Sequence, residues 1–253
     1  MLRTRLSSLC AVAVAVACVV PSFAGAPVKI KEVAAGADLV IEANAKIKAL
    51  EEALADASKY QEAKASSLGR DAGVLAVLAQ AVIESEDKPE WKASAADVRD
   101  GAIAIWNSKS FEDAKKGLDA VKSAAGGTAA GAKPEAEWNK LTKLGALMKE
   151  VNARNGKLRR NVRKLPEKDE ELAATARDAS VLAILALVTH EDTHEVKADA
   201  DKPLWQSQSK DFQKEMTAAA AAFKAKDAAG AKKAFDAANK ACNDCHKKFR
   251  DKE

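Results

Sequence analysis

The apolar segment RDASVLAILA, residues 177–186, occurs a second time with small changes as RDAGVLAVLA at residues 70–79. Two further pairs of segments follow in the same order. DKPEW at 87–91 matches DKPLW at 201–205, and AKKGLDA at 114–120 matches AKKAFDA at 231–237. Three matches in one order are explained most simply by an internal duplication. The sequence therefore predicts one structural unit that is present twice.

Each unit is predicted to consist of four amphipathic helices. Ala, Lys, Glu and Leu dominate the chain and aromatic residues make up only 4% of it, which is typical of an all-helical protein. In the second unit, helix-breaking segments predict helices over residues 135–164, 169–190, 203–226 and 228–248. Asp201 before Lys202-Pro203 is a helix N-cap followed by a first-turn proline. Short connections favour antiparallel neighbours, so the predicted fold is all-α, with two tandem antiparallel four-helix bundles.

The ends of the chain and a small-residue segment set the predicted domain boundaries. Residues 1–24 have the features of a secretory signal peptide: Arg3 and Arg5, then the apolar run Leu9–Val20, then small residues before a cleavage point after Ala24. Residues 126–134, rich in Gly and Ala, are predicted to be a linker. The domains are then 28–125 and 135–253, and the mature protein is expected to be periplasmic.

Cleavage after Ala24 changes both the charge and the cysteine content. Loss of the two arginines lowers the formal net charge from +4 to +2, and so weak a charge argues against nucleic acid as a partner. Only Cys242 and Cys245 remain in the mature chain. The apolar run of the signal is short for a membrane span and no later stretch is expected to form one, so stable membrane insertion is not expected.

The two remaining cysteines belong to a C-x-x-C-H motif formed by Cys242, Cys245 and His246. This is the attachment signature of a c-type haem, in which the thiols bond to the vinyl groups and the imidazole ligates the iron. These positions share one face of a helix. A redox dithiol and part of a zinc site are the alternatives, but a redox C-x-x-C opens a helix, whereas this motif closes one. Residues 28–125 contain neither Cys nor His, so one haem c, in the second unit, is expected.

The second unit resembles the class II c-type cytochromes, the family that includes cytochrome c-prime. The terminal C-x-x-C-H-x-x-F-R at residues 242–250 is similar to the end of that family, and KPLW at 202–205, followed by Phe212, is similar to the start of its third helix. The resemblance implies an exported four-helix bundle with its haem near the end of the last helix. It also implies paired bundles, here either a homo-oligomer or an intramolecular pseudo-dimer in which the haem-less unit is the partner.

The resemblance also assigns further candidate residues around the haem. Met148 stands where low-spin members place a sixth iron ligand, although a methionine on an apolar helix face also serves as core filler. Phe249 and Trp205 are expected to pack beside the haem.

His190 and His194 form a separate candidate site. Together with Glu191 they match H-E-x-x-H, a zinc-peptidase motif. The alternatives are distal or tuning groups at the haem edge, a second metal site, or solvated loop residues.

The leading functional prediction is one-electron transfer in the periplasm with an unidentified redox protein, without enzymatic activity. The alternative is a five-coordinate haem protein that binds or senses NO or CO, and a remote third possibility is a metallopeptidase.

Overall fold

A computed structural model describes residues 26–250, so the predicted signal peptide, residues 1–24, lies outside the described part of the chain. Residues 26–250 form α-helices and short 3-10 turns with no β-strand, which confirms the all-α prediction. The first half (residues 26–125) contains α1 (Gly36–Ala53), α2 (Ala57–Ser66), α3 (Leu68–Glu84), α4 (Ala95–Asn107) and α5 (Phe111–Ala125). The second half (residues 135–250) contains α6 (Leu144–Asn161), α7 (Asp169–Glu191), α8 (Lys202–Lys224) and α9 (Ala228–Phe249).

The predicted helices of the second half agree with α7, α8 and α9 to within two residues at each end, but the start of α6 was predicted wrongly. The helix begins at Leu144 and not at residue 135. Before it, the chain is extended except for one 3-10 turn, Trp138–Lys140. The Trp138 side chain is buried, and its Nε1 donates to Glu84 Oε1 at 2.9 Å, at the end of α3. Burial of this indole against α7, together with its hydrogen bond to the first half, therefore overrides the helix propensity of residues 135–143.

The first half has five helices where four were predicted, because its second helix is broken. α2 and α3 meet at Ser67 with a bend of 76°. Asp56 caps α2 by accepting a hydrogen bond from the Lys59 backbone N–H at 2.9 Å. Tyr60, in α2, is fully buried. The cap and the buried ring fix α2 as a separate helix.

The helices pack in the same order in the two halves. In the first half α3 contacts α1 and α4, and α4 contacts α5; in the second half α7 contacts α6 and α8, and α8 contacts α9. The two halves are also joined, because α3 contacts both α6 and α7. One hydrophobic core extends from Ile30 to Ala238. The division into two separate bundles, residues 28–125 and 135–253, stays a prediction.

The segment that was predicted to be a flexible linker, residues 126–134, is attached to α4. The Asp97 carboxylate accepts hydrogen bonds from the backbone N–H groups of Ala130 and Ala132, both at 3.0 Å. Arg99, which is buried, donates to the carbonyl groups of Lys133 and Pro134 at 2.7 and 2.9 Å. These four hydrogen bonds hold the connection in place between the halves.

Helix α7 has the length and composition of a membrane span, contrary to the expectation that no later stretch would. It is 23 residues long, and 72% of its most apolar window is buried inside the structure. Its neighbours α6 and α8 cover it. After Arg177 and Asp178, every residue of the segment RDASVLAILA is buried and all but Ser180 are apolar, because this part of α7 lies in the core.

The contact between α3 and the segment before α6 supplies a stability prediction. A Cβ added at Gly73 would lie 2.0 Å from Thr142 Oγ1 and 2.8 Å from Thr142 Cβ. Gly73→Ala is therefore expected to lower the free energy of unfolding by about 1–3 kcal/mol, as overpacking of a core does. Urea denaturation measures this.

The matched control is Gly69→Ala, one turn earlier on the same helix, where an added Cβ meets no atom within 4 Å. There alanine is expected to stabilise the protein by about 0.5–1 kcal/mol, because it has the higher helix propensity. Equal effects of the two substitutions would contradict the close contact at Gly73.

Candidate functional site

Helix α9 carries the C-x-x-C-H motif in its last two turns. It begins at an Asp227 cap, whose carboxylate accepts from the Gly230 N–H at 2.9 Å, and continues to Phe249. In the repeat, Cys242 aligns with Ala125, the last residue of α5. The second half therefore extends its final helix by about two turns beyond the point where the first half stops, and the motif lies on this extension.

Cys242, Cys245 and His246 line one cavity of about 60 Å³. Met148 and Val151 of α6 line the same cavity, and its remaining wall comes from α7 and α8, including Ala186 and Phe212. The structure thus brings together the three motif residues and the candidate sixth ligand. The thioether of Met148, which comes from α6, therefore borders the same cavity as the two thiols and the imidazole of α9.

Both thiols are free, and their environment distinguishes them from a redox-active pair. Burial raises the pKa of Cys242 to about 12, with a smaller contribution from Cys245, and burial raises the pKa of Cys245 to about 11. Reactive dithiols need a lowered pKa, because the thiolate is the nucleophile. Within residues 26–250 no group of three His, Cys, Asp or Glu side chains could hold a metal ion. Both observations disfavour the redox-dithiol and zinc interpretations of the motif.

His246 is poised to be neutral. Partial burial lowers its pKa, and the nearby charge of Arg250 lowers it further. A neutral imidazole is the form that ligates iron.

The donor set fits a covalently attached haem. Two protonated thiols can each add across a carbon–carbon double bond, an imidazole can ligate the iron from one side, and a thioether can ligate it from the other. Val151, Ala186 and Phe212 give the lining an apolar part, as the faces of a porphyrin require. Thr189, Gln208 and Ser209 add polar groups to the same lining.

The wall of the cavity includes residues that sequence reasoning did not assign to it. Phe212 is buried and lies seven residues after Trp205, two turns along one face of α8. This seven-residue spacing is the sequence signal that could have identified Phe212 as a residue of the cavity wall. Gln208, on the same wall, has a buried Oε1 for which residues 26–250 supply no hydrogen-bond partner. The Gln208 side chain therefore contributes to the cavity wall a polar oxygen that has no hydrogen-bond partner among residues 26–250.

Trp205 and Phe249 lie close to the cavity-lining residues but do not line the cavity themselves. Their rings contact each other edge to face, with centroids 5.1 Å apart. Trp205 is buried, and its Nε1 donates to the Thr189 carbonyl at 2.5 Å. The pair joins the start of α8 to the end of α9, so these residues support the helices that carry the motif. Their direct packing on a haem stays a prediction.

His190 and His194 are not brought to the cavity that Cys242 lines. Helix α7 ends at Glu191, where the His190 Nδ1 lies 2.8 Å from the carboxylate, and His190 borders a different cavity with Pro27 and Val28.

His194 lies beyond the end of α7, in contact with Asp192 and with Glu195, and the hydrogen bond to Asp192 raises its pKa. The zinc-peptidase motif needs both histidines on one helical face. Because α7 ends at Glu191, between His190 and His194, the two histidines do not share one helical face.

Comparisons with known proteins agree with the geometry of the second half. Residues 140–250 match the family model Cytochrome C', a range that lies within the second half and includes Met148 and the whole C-x-x-C-H motif. Comparison with curated proteins and with solved structures gave no match. The family match supports a haem-binding c-type cytochrome over these residues.

Proposed function

We propose that the protein is an exported c-type cytochrome that holds one covalent haem in its second half and transfers single electrons in the periplasm. The observation that supports electron transfer is the position of Met148, which lines the same cavity as Cys242, Cys245 and His246. A methionine axial ligand raises the reduction potential and keeps the iron six-coordinate. Export would depend on residues 1–24, and the physiological partner would be another redox protein.

The chain's own residues have defined tasks in this proposal. Cys242 and Cys245 would hold the haem, each by addition of its S–H across a vinyl group, which forms a thioether without net oxidation or reduction. His246 would hold the iron as the neutral imidazole, and Met148 would offer its sulfur from α6. The haem supplies a one-electron iron couple, and the apolar wall that includes Phe212 keeps water away and tunes the potential.

The ligand role of Met148 is tested by Met148→Leu in the haem-loaded protein. The substitution keeps side-chain volume and removes the sulfur. We expect the sharp, split bands of the reduced wild-type protein to be replaced by broad high-spin absorption, with a lower reduction potential and new binding of carbon monoxide. Visible spectroscopy and a redox titration measure these changes.

Met216→Leu is the matched control, because Met216 is fully buried in α8 and is not among the residues that line the cavity. It is expected to keep the wild-type spectrum. A Met148→Leu spectrum identical to the wild type would show that Met148 is core filler.

A second candidate function is binding or sensing of a diatomic gas by five-coordinate iron. It is supported by the apolar lining contributed by Val151, Ala186 and Phe212, which suits a small apolar ligand. In this case the wild-type protein already has broad high-spin bands that shift with nitric oxide or carbon monoxide. The same spectrum of the reduced protein therefore separates the two functions.

For the first half we propose the role of an intramolecular partner. The family resemblance implies paired bundles, and here the first half lies against α6 and α7 of the second. Covalent linkage gives it a high effective concentration at that surface.

A further inference from the structure

Eight charged side chains form a network where the two halves meet, which we term the interhalf ion network. α1 contributes Glu42 and Lys46 and α3 contributes Arg70 and Asp71; α6 contributes Glu150 and Arg154 and α7 contributes Arg177 and Asp178. The Glu150 and Arg154 side chains are only 6% and 7% exposed. These eight side chains are four positive and four negative groups that are 6% to 30% exposed, and the largely exposed Lys157 also reaches Asp178 at 3.9 Å.

The contacts between the halves repeat when the two halves are exchanged, and so does one contact within each half. Lys46 contacts Glu150 at 2.9 Å, and the equivalent Arg154 contacts Glu42 at 2.8 Å. Within its own half, Lys46 contacts Asp71 at 2.8 Å, as Arg154 contacts Asp178 at 2.6 Å.

The two remaining contacts between the halves are also equivalent to each other. Arg70 reaches Glu150 and Arg177 reaches Glu42, each at 3.4 Å. Reciprocal contacts of this kind are those of an isologous, two-fold interface, here formed within one chain.

Helix α6 contributes to both this network and the haem cavity. Met148 and Val151 line the cavity. At 3.6 residues per turn, Glu150 and Arg154 lie about 200° and about 240° around the helix from Met148, but only about 100° and about 60° from Val151. The first half therefore contacts the side of α6 that faces away from Met148, next to the face that carries Val151.

We propose that Glu42 and Lys46 of the haem-less first half are positioning residues for the haem: through Arg154 and Glu150 they fix α6, and with it Met148, relative to His246. A buried charge that loses its partner is strongly destabilised. Removal of either first-half residue would leave the network with one excess charge, although Glu150 keeps Arg154 and Arg154 keeps Asp178. α6 would then shift or rotate to expose the excess charge. The inference rests on the proposed haem site.

The test uses the full-length, haem-loaded protein with Lys46→Met and, as a milder isosteric change, Glu42→Gln. We expect each to move the oxidation–reduction equilibrium toward the ferric form, by about tenfold for Lys46→Met, which is 59 mV for a one-electron couple. We also expect part of the iron to become high-spin and to bind carbon monoxide. Lys46→Arg should restore wild-type values, because arginine occupies the equivalent position 154.

Lys122→Met is the control, since it removes an exposed ion pair with Glu51 within the first half. It should leave the potential unchanged. If Glu42→Gln and Lys46→Met lower the melting temperature but leave the potential and the carbon monoxide affinity at wild-type values, the network is only structural and the proposal is wrong. If Lys46→Met does not fold, Glu42→Gln alone decides. Failure of the proposed function is distinguishable, because the wild-type protein would then show either no haem absorption or broad high-spin bands.

Discussion

Replacement of both Cys242 and Cys245 by alanine is expected to abolish covalent haem attachment completely. Each thiol can form one thioether, so each single alanine variant should retain at most one bond to the haem. The measurement is haem staining of the denatured protein and its pyridine haemochrome spectrum, after expression with a cytochrome c maturation system. In the double variant no haem should remain with the denatured chain.

Asn243→Ala is the matched control for the cysteine variants. Asn243 lies between the two cysteines and is exposed, and it does not line the cavity with them. It is expected to carry the same amount of covalent haem as the wild type. Wild-type levels of bound haem in the double cysteine variant would refute the assignment of the C-x-x-C-H motif, and with it the proposed function.

Arg154→Met is expected to lower the free energy of unfolding by about 3–5 kcal/mol, the cost of breaking a buried ion pair by removing one partner. The guanidinium contacts Glu150, Glu42 and Asp178 at 2.6–2.8 Å, and methionine would leave these carboxylates without it. Burial already raises the pKa of Asp178, which shows how poorly this interface accommodates an uncompensated negative charge. Urea denaturation followed by circular dichroism measures the loss.

An exposed ion pair provides the comparison for Arg154. Lys232 and Asp236 interact across one turn of α9 with both side chains largely in solvent. Lys232→Met is therefore expected to change the free energy of unfolding by no more than about 1 kcal/mol. Similar losses for the two substitutions would mean that the interhalf ion network contributes no more than a surface pair.

The parts of the fold that were predictable are those encoded by local patterns. The starts of α8 and α9 follow from Pro203 in the first turn of α8 and from Asp227, whose side chain caps α9, whereas the predicted Asp201 cap makes no side-chain hydrogen bond. The start of α6 was missed because Trp138 is buried against α7 and donates a hydrogen bond to Glu84 of the first half. That contact joins residues 54 positions apart in the chain.

The interhalf ion network was missed although the sequence contained a signal for it. Glu42-Ala43-Asn44-Ala45-Lys46 and Glu150-Val151-Asn152-Ala153-Arg154 form a fourth matching pair in the repeat order. Glu and Lys or Arg at helical spacing usually indicate a solvated face. Only the packing of α1 and α3 on α6 and α7 removes these side chains from water.

The sequence by itself determined the all-α class, the helices of the second half after the first, and the three residues that define the haem-attachment motif, because each depends on spacing along one helix. The tertiary structure decided which other side chains share the cavity with that motif. It selected Met148 and Phe212, and it put His190 and His194 elsewhere, since α7 ends between them. It also decided that the first half contacts α6 through reciprocal ion pairs. Which side chains share the cavity depends on how the helices pack. Packing brings together residues that are far apart in the chain, and their separation in sequence does not reveal this.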